Sequence, residues 1–229
     1  MTSAEPLAPQ VGVLDDDVRG LLRTLGGRRW SADFYLAGSA GLALYLDHRP
    51  VGGLDLMGWN RLVSAERRDL LQDLLTFDPG VRVETARDGL LYVRFSGPRA
   101  RGLRLYHYPY PLIDTEEEVE GLSLASALDL GLMKLGAVIS RGGRRDFVDL
   151  YLLTRRLPLA TLLARSGEKF GHVRDFPLQA LKGLADLEAA RDEPMPRADG
   201  VTWSQIESWV HGEVRQLARE WTGLTEPAG

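Results

Sequence analysis

The sequence predicts an α/β (α+β) fold in which a mixed sheet with helices is followed by a helical C-terminal region. The first sign is a strand, a glycine-serine turn, a helix and a second strand, which follow one another over residues 34–57. The second is a set of three runs between residues 81 and 106 in which apolar and polar side chains alternate, as in half-buried strands. The third is the helical spacing of apolar residues after Leu122. We therefore expect an α/β core over residues 1–115 and a helical region over residues 116–229, packed on that core.

The composition is that of an ordinary globular protein, and it excludes several kinds of site. The formal net charge of −4 does not favour nucleic-acid binding, although a local basic patch would suffice for it. Because the chain has no cysteine, it has no disulfide, no thiolate nucleophile and no cysteine-ligated zinc. No run approaches the ~20 apolar residues of a membrane helix, and the N-terminus does not resemble a signal peptide. We expect a cytoplasmic protein that does not enter a membrane.

The elements of the N-terminal half follow from capping residues, periodicity and turn signals. A helix is expected to begin at Asp15, because acids at its start suit the helix dipole. Another begins at Ser64 and ends before Pro79. Asp88 and Gly89 lie between two alternating runs and predict a hairpin. Strands are expected over residues 34–36, 54–57, 81–85, 91–95 and 103–106, the last three forming an antiparallel meander that extends the sheet.

The C-terminal half has the pattern of helices joined by short turns. In the last of them Trp203, Ile206 and Val210 lie near one face, which is typical of a helix packed on a core. The acidic run over residues 116–118 is interpreted as a solvated face or the start of a helix. Helices are expected over residues 126–139, 146–153, 161–170, 178–191 and 203–221.

The stretch around Gly38 and Ser39 is the first candidate for chemistry. A turn from a strand into a helix presents backbone N–H groups at the helix N-terminus, where anions bind. Asp55 lies between Leu54 and Leu56, so its carboxylate points to the face opposite the two leucines and could hold a divalent cation. A nucleoside triphosphate with magnesium needs this combination. A plain turn and an exposed strand residue are the alternative interpretation.

The same residues resemble the nucleotidyltransferase superfamily and, more narrowly, the AbiEii-type toxins of toxin–antitoxin and phage-defence systems. The run from Leu36 to Ser39 is similar to the family's glycine motif, which implies that Gly38 and Ser39 grip the nucleotide. The resemblance also implies a nucleotidyltransferase-like sheet and assigns Asp55 as a magnesium ligand and catalytic residue. The acidic triplet is damaged, because Gly53 stands where a second acid is expected and no acid follows over residues 103–107.

The most specific resemblance covers residues 129–153 and centres on Lys134 and Asp146. It implies that Lys134 contacts the triphosphate as a point charge and that Asp146 orients it or acts as a base. From the residues alone, a lysine on an apolar helix face needs a partner, and Asp146 or Asp149 could pin it between two helices. Three neighbouring arginines form either a solvated turn or a contact to phosphate or RNA: Arg141, Arg144 and Arg145.

These observations leave two functions open. The first is an AbiEii-like enzyme that uses magnesium to transfer a nucleotide from a triphosphate to RNA, tRNA or protein, with a cognate antitoxin as partner. The second is a catalytically degenerate relative that binds a nucleotide or a protein. For either, Ser39, Asp55, Lys134 and Asp146 are expected to converge on one cleft. Gly53 is expected to leave an open space beside Asp55. The substitution Gly53→Asp should then tighten magnesium-dependent nucleotide binding, provided that Gly53 does not have a positive φ angle that aspartate resists.

Overall fold

The computed structural model describes residues 7–96, 101–196, 198 and 200–222. They form two compact units, and the boundary between them falls after Leu130, within one helix. The sequence placed the boundary after residue 115. The mixed sheet with helices and the helical C-terminal region are both present, so the predicted fold class is confirmed.

The first unit contains a mixed sheet that has seven strands within the described residues. The strands are β1 (Phe34–Ala37), β2 (Gly53–Gly58), β3 (Arg82–Arg87), β4 (Leu90–Arg94), β5 (Gly102–His107), β6 (Glu117–Val119) and β7 (Leu122–Leu124). Their order across the sheet is β3-β4-β5-β2-β1-β7-β6. The β1–β7 and β2–β5 pairs are parallel, and the other pairs are antiparallel, so the predicted meander of β3, β4 and β5 joins the sheet through β5.

The burial of the central strands follows the pattern of their side chains. All four residues of β1 are buried, as expected for an apolar strand inside a sheet. In β2 burial alternates: Leu54 and Leu56 lie in the core, whereas Asp55 points to the opposite, partly exposed face. This alternation puts a carboxylate at the centre of the sheet without burying it among leucines.

Three helices accompany the strands in the first unit within the described residues: α1 (Asp16–Gly26), α2 (Gly38–Leu46) and α3 (Ser64–Phe77). The Asp15 side chain caps α1 by accepting a hydrogen bond from the Val18 N–H at 2.9 Å. One strip of α1 is buried, as its periodicity predicted: Val18, Leu21, Leu22 and Leu25. Six of the nine residues of α2 are buried, and the helix packs against β1 and β2.

The structure decides between the two interpretations of the acidic run over residues 116–118, whose side chains are exposed as expected for a solvated face. Glu117 and Glu118 belong to β6, an edge strand, and are not the start of a helix. The turn from β6 to β7 passes through Glu120 and Gly121, which both have positive φ angles, of 51° and 82°. Positive φ angles at both central residues are typical of a two-residue hairpin turn, because they match the twist of the two strands.

The boundary between the units lies in α4 (Ala127–Ser140), and the described part of the second unit is helical. Its other helices are α5 (Arg144–Thr154), α6 (Leu159–Phe170), α7 (Phe176–Ala185), α8 (Glu188–Arg191) and α9 (Trp203–Thr222). Phe147 meets Trp203 edge to face at 5.9 Å, and Phe170 stacks on Phe176 at 4.2 Å. Among the described residues, no helix combines the length and apolarity needed to cross a membrane.

Candidate functional site

The Gly38–Ser39 turn lies between β1 and α2. Gly38 has a φ of 62°, a left-handed conformation that favours glycine, and it is the first residue of α2. The N-cap residue Ala37 makes no side-chain hydrogen bond to the first N–H groups of the helix. Ser39 is half-buried in the first turn of the helix. The turn therefore has the features of an anion site at a helix N-terminus.

The carboxylate of Asp55 lies directly against Gly38. Ala37 and Asp55 are partners across the antiparallel pair β1–β2, which brings the strand end and the acid together. A Cβ atom added to Gly38 would lie only 2.4 Å from Oδ2 of Asp55. Only glycine permits this approach, for reasons of both space and backbone conformation. The structure thus brings together Gly38 and Asp55, two of the residues predicted for the site.

Arg104 is the residue beside Asp55 that sequence reasoning missed. It is the register partner of Asp55 in the parallel pair β2–β5, and its Nη1 donates to Asp55 Oδ1 at 3.3 Å. Its guanidinium also lies over the ring of Tyr92, 4.6 Å from the centroid. Burial alone would lower the pKa of Arg104, but the charge and hydrogen bond of Asp55 outweigh it and raise that pKa above its usual value.

The residues around Asp55 do not fit a two-metal centre. Its same-face neighbours on β2 are Gly53 and Met57, and its cross-strand partners are Ala37 and Arg104, so none of these four neighbours is an acid. Sites that transfer phosphoryl or nucleotidyl groups with two metal ions place several carboxylates around the two ions. Across the described residues, no group of three or more His, Cys, Asp or Glu side chains could hold a metal ion.

Glu84 does not complete the site. It lies on the edge strand β3, which is separated from β2 by β4 and β5. Its carboxylate instead pairs with Arg94 of the adjacent strand at 3.1 Å.

The expectation of open space at Gly53 is wrong. Gly53 faces Gly102 in the β2–β5 ladder, and a Cβ atom on Gly53 would lie 2.8 Å from the Gly102 carbonyl oxygen. The neighbour is backbone, which cannot move aside as a flexible side chain could. Gly53→Asp would therefore disturb the strand pairing next to Asp55, and it is not a clean way to add a carboxylate.

In the second unit, Lys134 is held between two buried carboxylates. Its Nζ lies 3.1 Å from Asp146 Oδ1 and 2.7 Å from Asp149 Oδ2. The two aspartates are three residues apart on α5 and therefore share one face of that helix. The side chains of Lys134, Asp146 and Asp149 are only 9%, 2% and 0% exposed. The arrangement matches the helix-pinning role that the residues alone suggested.

Arg141 completes this charged cluster. Its Nε donates to Asp146 Oδ2 and its Nη2 to Asp146 Oδ1, both at 2.7 Å, which is a bidentate pair. Burial tends to raise the pKa of Asp146, but the hydrogen bond from Arg141 and the charge of Lys134 outweigh it and lower that pKa below its usual value. Asp146 is therefore ionised at neutral pH, and both cations of the cluster have carboxylate partners.

The neighbouring arginines differ in their surroundings. Arg144 lies over the ring of Trp203, 4.5 Å from the centroid, and its side chain donates to the Arg191 carbonyl oxygen. Its backbone N–H donates to Glu193 at 2.7 Å. Arg145 is exposed. Arg144 thus fastens the start of α5 to the segment that follows α8, whereas Arg145 belongs to a solvated face.

A cavity of about 230 Å³ lies in the first unit at the other end of β1 from Gly38. Phe34, the first residue of β1, lines it together with the acids Asp33, Glu66 and Asp69. Three carboxylates would repel a phosphate group. The cavity therefore does not suit the triphosphate of a nucleotide, in contrast to the uncapped helix N-terminus at Gly38.

Comparison with known proteins gives distant similarity. No protein-family model matches the chain. An uncharacterized protein of Aquifex aeolicus (strain VF5), aq_aa25, is 26% identical over 195 residues, which are 80% of this chain and 87% of that protein.

Three solved structures are similar to this one. JHP933 from Helicobacter pylori has a TM-score of 0.47 at 15% identity, covering 93% of this chain and 100% of that one. A provisionally named nucleotidyltransferase of H. pylori has a TM-score of 0.45 at 15% identity, covering 89% and 99%. The Megavirus polyadenylate synthase has a TM-score of 0.44 at 10% identity, covering 62% and 32%. Because these scores are below 0.5, we base the functional proposal on the residues of this chain.

Proposed function

We propose that the first unit binds the triphosphate group of a nucleoside triphosphate at the Gly38–Ser39 turn, and that the chain transfers nucleotides weakly or not at all. The observation that carries the proposal is the contact of Asp55 with Gly38 at the uncapped start of α2, with Arg104 beside it. This arrangement of Gly38, Asp55 and Arg104 is a degenerate form of the nucleotidyltransferase-type site that the sequence motif indicates.

The binding half of the proposal follows from the donors at the turn. A helix N-terminus carries N–H groups that point outward and the positive end of the helix dipole, and both favour an anion. The Ser39 hydroxyl adds a further donor in the first turn. Gly38 keeps the backbone accessible, because it has no side chain that would cover these groups.

The weak transfer follows from the acids. A bound magnesium ion would neutralise the charge that develops on the transferred phosphate, and such centres use two or three carboxylates. Here the paired strands β1, β2 and β5 place one carboxylate beside the turn, that of Asp55, and Arg104 already donates to it. We therefore expect magnesium to contribute less than the family resemblance implies.

An active nucleotidyltransferase is the second candidate, and the contact between Lys134 and Asp146 favours it, since the resemblance places both residues in the family's site. For this second candidate, the acceptor of the nucleotide is RNA, tRNA or protein. The chain would then act as the toxin of a toxin–antitoxin or phage-defence system. Incubation with each labelled triphosphate, magnesium and a total RNA pool separates the candidates. Label transfer that Asp55→Asn abolishes would establish the enzyme and refute the proposal of weak transfer.

The substitution Gly38→Ala is expected to weaken triphosphate binding by at least about tenfold, which corresponds to about 1.4 kcal/mol. A Cβ atom at position 38 would collide with Asp55, and it would disfavour the left-handed backbone conformation of the turn. Isothermal titration of the full chain with each of the four ribonucleoside triphosphates gives the dissociation constants.

Gly52→Ala is the matched control for this substitution. A Cβ atom on Gly52 meets no atom within 4 Å, so this variant should bind as the wild type does. Circular dichroism establishes that both variants are folded before they are compared. Equal affinity of Gly38→Ala and the wild type would remove the turn as the binding site.

A further inference from the structure

We propose that Arg104 takes the charge-neutralising place of a metal ion beside Asp55, so that triphosphate binding at the Gly38–Ser39 turn does not require a divalent cation. The inference rests on the proposed function and adds to it the residue that meets the phosphates and the form of nucleotide that is bound. It starts from the mismatch between the acidic residues that a metal centre needs and those that surround Asp55.

The sheet register determines which residue stands beside Asp55. In the parallel pair β2–β5, Asp55 and Arg104 are direct partners, so their side chains emerge on the same face of the sheet. Nη1 of Arg104 lies 3.3 Å from Asp55 Oδ1, while Oδ2 of the same carboxylate lies against Gly38. One carboxylate thus connects the guanidinium to the start of α2.

The guanidinium of Arg104 is oriented and still has donors to offer. A guanidinium carries five N–H donors in one plane, and Nη1 of Arg104 donates one of them to Asp55. The ring of Tyr92 lies under it, with the guanidinium carbon 4.6 Å from the ring centroid. The side chain of Arg104 is 39% exposed, compared with 18% for Asp55, so solvent or a ligand can reach it. This planar fork suits the oxygen atoms of a phosphate.

The local charges also favour a metal-free triphosphate. Asp55 alone would repel a phosphate group at the turn, and the positive charge of Arg104 offsets that repulsion. The same positive charge opposes the approach of a divalent cation to Asp55. The pair therefore favours the anion and disfavours the metal, which is the reverse of a site built from several carboxylates.

The test compares triphosphate binding in EDTA with binding in excess magnesium, by isothermal titration of the full chain with ATP, GTP, CTP and UTP. For the wild type we expect the two dissociation constants of the preferred nucleotide to agree within about threefold. Arg104→Met should weaken binding at least about tenfold in both buffers, a loss of about 1.4 kcal/mol. Arg82→Met, which changes an exposed arginine of β3, is the matched control and should bind as the wild type does.

The outcomes distinguish a failure of the inference from a failure of the proposed function. Wild-type binding that appears only with magnesium overturns the inference and leaves the proposed function standing. Wild-type binding in EDTA that Arg104→Met leaves unchanged also overturns the inference, because the cation at position 104 then plays no part. Absence of wild-type binding in both buffers refutes the proposed function itself. The comparison of buffers uses the wild type alone. It therefore shows whether binding requires a divalent cation even if Arg104→Met does not fold.

Discussion

Lys134→Met is expected to lower the free energy of unfolding by about 3–5 kcal/mol, the cost typical of removing one partner from a buried ion pair. Lys134 is the shared partner of Asp146 and Asp149, both of which are buried. Without the ammonium group, two carboxylates on one face of α5 keep their charge in a place of low solvation. Arg141 remains bonded to Asp146 and offsets part of the charge of that carboxylate.

Urea denaturation of the full chain at neutral pH measures this effect. Lys182→Met is the matched control, because Lys182 is an exposed residue of α7 and its loss should change the free energy of unfolding by no more than about 0.5 kcal/mol. If Lys134→Met were no more destabilising than Lys182→Met, the buried cluster would not hold α4 to α5. Because the effect is on stability, it is separate from any role of Lys134 in nucleotide transfer.

The second large effect is expected for Asp129→Ala, which should lower the free energy of unfolding by about 3 kcal/mol, since each buried donor left unsatisfied costs about 1–3 kcal/mol. The carboxylate of Asp129 is fully buried. It accepts hydrogen bonds from the backbone N–H groups of Ile113, at 3.1 Å and 3.2 Å, and of Asp114, at 3.2 Å. It also accepts one from the Ser126 hydroxyl at 2.8 Å. Asp129 therefore secures the segment that precedes β6.

The same denaturation experiment tests Asp129→Ala against Glu118→Ala. Glu118 is an exposed acid of β6. Its removal eliminates a negative charge but leaves no buried donor without an acceptor. A loss of stability in Asp129→Ala that is no greater than in Glu118→Ala would show that the hydrogen bonds to Ile113 and Asp114 are not structural anchors.

Local sequence patterns predicted two strands of the sheet, one hairpin and the direction of one side chain at the candidate site. The alternation in residues 91–95 and 103–106 identified β4 and β5, and Asp88 with Gly89 identified the hairpin between β3 and β4. The sequence also predicted the face to which Asp55 points, because side-chain direction in a strand follows from its neighbours.

The features that were missed depend on short elements or on distant pairing. The strand β6 has three residues, two of them glutamates, so it carries too little periodicity to be recognised. The pairing of Asp55 with Arg104 joins residues 49 positions apart and depends on the register of a parallel pair, which no local pattern encodes. The close approach of Gly53 to Gly102 has the same origin. These long-range pairs determine how the site differs from a metal centre.

Two-dimensional ¹H–¹⁵N NMR in EDTA records the response of individual backbone amides to a triphosphate, and it tests most directly whether the turn binds the anion without a metal. We expect saturable shifts of the Gly38, Ser39 and Ala40 amides at the start of α2, together with the Nε–H signal of Arg104, all with one dissociation constant. An unchanged turn, or shifts concentrated in another part of the chain, such as the acidic cavity around Phe34, would refute binding at the turn.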